Sequence, residues 1–229
     1  MHGDYPAMFR ALLSEAADAL GVGVGFRTWS VEVEACPETL EACDVYLITG
    51  SRRSVYEDLP WIHALEDFVR RLHAARHPLI GICFGHQLIA RALGGVVGKA
   101  AVGWGVGSQR YEVVAPRPWM VPPCPGFALL ASHQDQVETL PPGAQRFAGS
   151  SFCPNAGFTI DDYFIALQAH PEFREPYSRD LLHKRRERLG EPVFEAGLAS
   201  LGGRIDAPLI ARWLLQFVLA RAVPRAEAS

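Results

Sequence analysis

The sequence predicts an α/β fold in which a mostly parallel sheet lies between two layers of helices, and three observations carry that expectation. Short apolar runs at 44–49, 78–82 and 163–167 read as buried strands. Amphipathic stretches of helical period follow the first two runs, which is βαβ alternation. The second run passes directly into Gly81-Ile82-Cys83-Phe84-Gly85-His86-Gln87, a cysteine bracketed by glycines where a strand gives way to a helix. With 229 residues, 49% of them hydrophobic, the chain suits one large domain, since domains usually run to ~50–250 residues. No linker composition divides residues 1–229.

The elements follow in order. Met8, Phe9, Leu12, Leu13, Ala16 and Leu20 share one helical face, and Gly21-Val22-Gly23 ends that helix. Residues 25–29 read as a strand and 44–49 as a buried one closed by Gly50-Ser51. A helix begins at Pro60 with Asp58 as candidate cap, and turns Trp61, Leu65, Phe68, Val69 and Leu72 inward. Strand 78–82, the cysteine turn and a helix through Leu93 come next, stopped by Gly94-Gly95. Residues 96–114 read as short strands with turns at Gly103, Gly105 and Gly107, and the proline-rich 116–125 as a surface connection. Residues 179–188 read as a charged helix or turn whose Lys184-Arg185-Arg186 cluster is a solvated face. The last helix starts near Asp206 and Pro208 and buries Leu209, Ile210, Trp213, Leu214, Phe217 and Val218.

The cysteine turn has the pattern of a nucleophile elbow. A sharp strand-to-helix turn forces its central side chain outward, and flanking glycines are needed because a Cβ there would meet neighbouring backbone. The same turn puts the thiol at a helix N-terminus, where the helix dipole favours thiolate. Far downstream, Gln168-Ala169-His170-Pro171-Glu172 ends an apolar run with a histidine and, two residues later, a carboxylate. Together these supply nucleophile, base and orienting acid: Cys83, His170 and Glu172. Taken singly, a cysteine in a glycine-rich turn equally fits packing. His86, three residues along the elbow helix, is a competing base, but a residue so placed points away from the side where a strand-end base arrives.

Gly81 to Gln87, Ser132-His133-Gln134-Asp135-Gln136-Val137 and His170-Pro171-Glu172 resemble the three signature blocks of class I glutamine amidotransferase domains, and the resemblance covers nearly the whole chain. The longer string through Leu88-Ile89-Ala90-Arg91, with His133-Gln134-Asp135, is similar to the stand-alone branch that includes plant γ-glutamyl peptidases and bacterial GMP-synthase-like proteins. The resemblance implies a three-layer α/β/α sandwich with a flavodoxin-like sheet. It also implies cysteine-dependent hydrolysis of the γ-amide of glutamine, or of a small γ-glutamyl compound, through a thioester and without a metal or organic cofactor. Family members begin with a strand before the first helix; here only Met1 to Asp4 precede it, so that strand is expected to be absent.

For the oxyanion, the expected donors are the N–H of Phe84 and the Gly50-Ser51 turn, which stands where the family carries a Gly-Gly-Pro loop. Gln87, Ser132 and His133 match positions that border the family's glutamine pocket. Read without the resemblance, Gln87 fits a local cap and His133 a surface loop. Arg52 and Arg53 depart from the family pattern; they suit bidentate binding of a substrate carboxylate, and equally suit an exposed loop. Trp104, between glycines, reads as a packing residue.

A net charge of −3 gives no electrostatic footprint for nucleic acid, and no apolar run approaches the ~20 residues that span a bilayer. The start shows no basic region followed by an apolar one, and five irregularly spaced cysteines fit a reducing compartment, so the cytoplasm is expected. Cys36, Cys43, Cys124 and Cys153 read as incidental thiols with no metal-ligand spacing. Three roles suit this reading. One is a self-sufficient hydrolase of small γ-glutamyl substrates. Another is a glutaminase chain that supplies ammonia to a separate synthetase. The last is a non-catalytic or redox-sensing protein on the same scaffold.

Overall fold

A computed structural model describes residues 3–222. Met1 and His2, part of the short start noted above, lie outside the described residues, as does the chain beyond Ala222. The helices are α1 (Tyr5–Leu20), α2 (Pro60–Ala74), α3 (Phe84–Ala92), α4 (Glu175–Leu189), α5 (Glu191–Ala199) and α6 (Ala207–Ala222). The strands are β1 (Tyr46–Ile48), β2 (Leu79–Ile82), β3 (Val96–Lys99), β4 (Gly105–Val113), β5 (Gly126–His133), β6 (Asp135–Thr139), β7 (Ala144–Gly149), β8 (Gly157–Ile160) and β9 (Phe164–Leu167).

The main sheet runs β1-β2-β9-β8-β7-β4-β5, and β3 pairs with β6 in a separate ribbon. The α/β class holds, and the sheet is mixed. Parallel pairing is confined to β1, β2 and β9, while β9-β8, β8-β7, β7-β4 and β4-β5 are antiparallel. Connection length decides this. Parallel neighbours need a crossover long enough for a helix, as between β1 and β2, whereas three residues suffice to turn β8 back as β9.

Alternate residues of the central strands feed two cores. Leu79, Phe164 and Ala166 pack with α2 and α3, through Ile62, Phe68, Val69, Leu72, Leu88 and Ile89. Ile80, Ile82, Ile165 and Leu167 face the opposite side, against Phe9 and Leu13 of α1 and Ile210, Trp213, Leu214 and Phe217 of α6. This period-two division places helices on both faces and the strand ends at one rim.

Helix α1 begins on Asp4, whose carboxylate accepts from the N–H of Ala7 at 2.9 Å, and ends on Gly21 in the left-handed region at φ 69°. Helix α2 starts at Pro60 as expected, but Leu59 is its N-cap. Asp58 lies one residue too early to cap and accepts from His63 Nε2 at 2.8 Å instead.

Among the described residues no strand precedes α1, and β1 forms the sheet edge, paired only with β2. Residues 25–29, expected as a strand, form none: a strand needs a neighbour's ladder, and this segment finds none. It is tied by side chains, with Arg10 Nη2 donating to Thr28 Oγ1 at 2.8 Å and Trp29 tilted on Tyr46 at 5.9 Å.

The proline-rich segment is more than a surface connection. Met120 is buried, and Trp119 meets Phe147 and Phe217 edge-on at 5.3 and 5.6 Å. Its Pro122 carbonyl accepts from Trp213 Nε1 at 3.0 Å, so the segment seals one end of the core. Replacing the fully buried Trp213 with Ala leaves a void beside Trp119 and Phe127. The expected cost is about 3–5 kcal/mol of stability, read as a lowered urea midpoint.

Candidate active site

Cys83 sits between β2 and α3 with φ 54° and ψ −97°, a conformation that costs a non-glycine residue about 1–3 kcal/mol. Its N–H donates to Leu167 O at 2.8 Å, which ties the turn to the end of β9. The flanking glycines are obligatory. A Cβ on Gly81 would meet Gly85 O at 2.7 Å and Ile89 Cδ1 at 2.5 Å, and one on Gly85 would strike the Ile48 carbonyl. The elbow is therefore wedged against β1.

His170 follows the same end of β9, three residues beyond Leu167. Its N–H donates to Leu130 O at 2.9 Å, an isolated bridge that fixes it against β5. Its Nδ1 lies 2.7 Å from Glu172 Oε1, with both side chains buried. Phe173 stacks on the imidazole at 3.8 Å and 9° between planes, and Tyr5 lies parallel to it at 6.2 Å. A Cβ on Gly50 would come within 2.8 Å of His170 Cε1, so the turn after β1 closes over the ring. Burial alone would depress the His170 pKa, but the Glu172 carboxylate and the Cys83 sulfur, its hydrogen-bond partner, raise it to about 10.

The candidate oxyanion donors stand beside this pair. Phe84 opens α3, where first-turn N–H groups have no intrahelical acceptor. Gly50 lies against His170, and the neighbouring Ser51 Oγ accepts from the N–H of Arg53 at 3.2 Å.

On the elbow-helix side, Gln87 Nε2 donates to Gln168 Oε1 at 3.0 Å and Asp135 O at 2.8 Å, and Gln168 Nε2 lies 3.6 Å from Cys83 Sγ. His133 Nδ1 faces the same Asp135 carbonyl at 3.1 Å, and burial lowers its pKa to about 4. His86 points away from the thiol: its Nε2 meets Asn155 O at 2.9 Å and its ring lies 5.0 Å from Phe158. Burial holds it neutral, with a pKa of about 3.

The two loop arginines are less engaged. Arg53 pairs with Glu57 at 3.3 Å, and Arg52 is exposed with no ion pair among the described residues. Both line a cavity of about 2410 Å³ that runs along the free edge of β1, between α1, residues 22–33 and α4. Gly50, Tyr5 and Phe84, immediate neighbours of the Cys83–His170 pair, also line it.

Arg185 departs from the solvated face expected of its cluster. Lys184 and Arg186 are exposed, but Arg185 is half-buried and its Nη1 donates to Ser132 Oγ at 2.6 Å and Ser132 O at 3.3 Å. The signal was there in the spacing: Ser178, Leu182 and Leu189 are the buried positions of α4, and Arg185 falls on the same face. Trp104 packs as expected, under Arg188 at 4.8 Å and Arg185 at 5.8 Å. The Tyr5 and Phe173 stack gave no local signal, because it joins Tyr5 of α1 to His170 and Phe173, 165 and 168 positions away in the chain.

Residues 3–184 match the family described as glutamine amidotransferase class-I. The chain is 33% identical over 186 residues to γ-glutamyl peptidase 4 of Arabidopsis thaliana, covering 79% of this chain and 71% of that one. It is 34% identical over 106 residues to one of the subunits of the glutamine-hydrolyzing GMP synthase of Methanoculleus marisnigri, covering 46% and 57%. In fold it is similar to the crystal structure of a glutamine amidotransferase from Methylobacillus flagellatus, with TM-score 0.73, 23% identity, and 91% and 86% of the two chains covered.

The raised His170 value has a consequence for stability. A histidine titrates near 6.5 in the unfolded chain and His170 near 10 in the folded one, so folding retains a proton that unfolding releases. The contribution is fully present below about pH 6.5 and is lost as pH rises through about 10. Urea unfolding of the wild type and of His170→Asn should show a stability gap that narrows between those limits; a gap independent of pH would contradict the ion pair.

Proposed function

The chain belongs to the class I glutamine amidotransferase family and is an enzyme, and from that premise we propose that it hydrolyses the γ-amide bond of a small γ-glutamyl compound or of glutamine, with Cys83 as nucleophile. The observation that carries the reading is the Cys83–His170–Glu172 arrangement on a strained elbow. In this mechanism the Cys83 thiolate attacks the γ-carbonyl, giving a tetrahedral oxyanion held by the N–H of Phe84 and the Gly50-Ser51 turn. The carbon–nitrogen bond breaks, the departing amine takes its proton from His170, and a γ-glutamyl thioester remains on Cys83. Water, losing a proton to His170, attacks the thioester and releases glutamate and the free thiolate.

Each remaining residue has a part. Glu172 holds the imidazole in the tautomer that presents Nε2 to the sulfur, and the stacked Phe173 fixes its plane. Gln87 and His133 border the glutamyl group on the elbow-helix side, while Ser132, the preceding residue of β5, turns its side chain the other way, to Arg185. Arg52, exposed over the cavity, is free to meet a substrate carboxylate, whereas Arg53 must first leave Glu57. The five free cysteines support a reducing, cytoplasmic setting, and no helix among the described residues is long and apolar enough to cross a membrane.

The likeness to a GMP synthase component favours a second reading, in which the same site makes ammonia for a separate synthetase. Glutamate release from glutamine and from γ-glutamyl dipeptides separates the two: faster dipeptide hydrolysis by the chain alone supports the peptidase, and activity on glutamine that appears only with a partner supports the ammonia supplier. Cys83→Ala should reduce release to background, and Glu172→Gln should lower kcat by roughly 10⁴-fold. Undiminished turnover in Cys83→Ala would end the mechanism.

A further inference from the structure

Helix α4 carries a cationic group that the hydrolytic steps leave unused. Arg185 and Arg188, one turn apart, both lie over the Trp104 ring, at 5.8 and 4.8 Å. Among the described residues neither is paired with a carboxylate, although Arg186 between them is bound to Glu191. Two neighbouring guanidiniums, one of them half-buried, repel each other and lose hydration, a cost that an anion between them would offset. Burial accordingly lowers the Arg185 pKa, Arg188 lowers it further, and Tyr5 and Cys83 oppose the shift.

The placement of Arg185 is directional. Both of its hydrogen bonds run from Nη1 to Ser132, which anchors the guanidinium to the end of β5 and leaves its other donors to the cavity that Tyr5, Tyr177, Asp180, Lys184 and Arg188 also line. Strand β5 is the strand whose Leu130 carbonyl holds the His170 N–H. Arg185 therefore stands on the His170 side of the thiol, whereas Gln87 and Gln168 occupy the elbow-helix side. In the proposed hydrolysis His170 protonates the departing amine, so the group next to Arg185 is the amine half of the substrate.

We propose that Arg185, supported by Arg188, forms a subsite for the carboxylate of the amino acid or peptide on the amine side of the scissile γ-amide. The proposal rests on the γ-amide hydrolase reading. It makes the preferred ligands γ-glutamyl peptides with a free C-terminal carboxylate, ahead of glutamine and of γ-glutamyl amides that lack one. Ser132 acts as a positioning residue, presenting the guanidinium edge for bidentate contact.

The test is calorimetric, with full-length Cys83→Ala protein and two probes, γ-glutamylglycine and γ-glutamylglycinamide, which differ only in the carboxylate. The free acid should bind about 10- to 100-fold more tightly, the scale of a hydrogen-bonded charge pair. Adding Arg185→Gln should bring the ratio of the two affinities toward one, and Arg185→Lys should restore part of it. Equal affinities in Cys83→Ala, no measurable binding of the free acid, or a ratio that survives Arg185→Gln would overturn the subsite. Carboxylate-dependent binding without turnover by the wild type would instead overturn the hydrolase reading and leave the subsite standing.

Discussion

The structure depends on one strained turn. Cys83 has a backbone conformation that its own side chain disfavours, and it is kept there by the Leu167 carbonyl, by the absence of a Cβ at Gly81 and Gly85, and by the contact of Gly85 with β1. Parallel pairing of β1, β2 and β9 is what brings those contacts to one rim. The rest of the sheet is free to run antiparallel without disturbing them. Strain of this kind persists only where surrounding packing over-determines it, and here the two cores on either face of β2 and β9 supply that packing.

The buried charge at the site follows from the same rim. His170 and Glu172 are two residues apart, yet they meet because the chain leaves β9 and turns against β5 at Leu130. Aromatic rings then take the place of water: Phe173 stacks in contact with the imidazole, and Tyr5 lies beside that pair, 6.2 Å from His170 and 6.0 Å from Phe173. In such surroundings the imidazolium is stabilised by its two partners more than burial penalises it. The Gly50 turn can approach because it too lacks a side chain. A single aliphatic carbon there would displace the ring.

What was legible in the sequence was local. The glycine spacing around Cys83 encodes a backbone constraint, and the apolar runs encode buried strands, so the elbow, the α/β class and the cysteine, histidine and glutamate set could be read from short stretches. Three things could not, and each depends on distant chain. Residues 25–29 have strand composition, but a strand exists only with a neighbour, and they form no ladder with the free edge of β1. Strand direction in the second half of the sheet is set by connection lengths rather than composition. Arg185 looked solvated within its charged run because only the docking of α4 against β5 reveals which face is covered.

If Cys83 is the nucleophile we propose, it carries the γ-glutamyl group during turnover. Quenching the wild type in acid during hydrolysis of a γ-glutamyl dipeptide, then digesting it and weighing the peptides, tests this directly. The peptide containing Cys83, and no other, should be heavier by one γ-glutamyl group, with the adduct lost in neutral hydroxylamine as a thioester should be. Steady release of glutamate with Cys83 unmodified, or with the adduct on another residue, would contradict it.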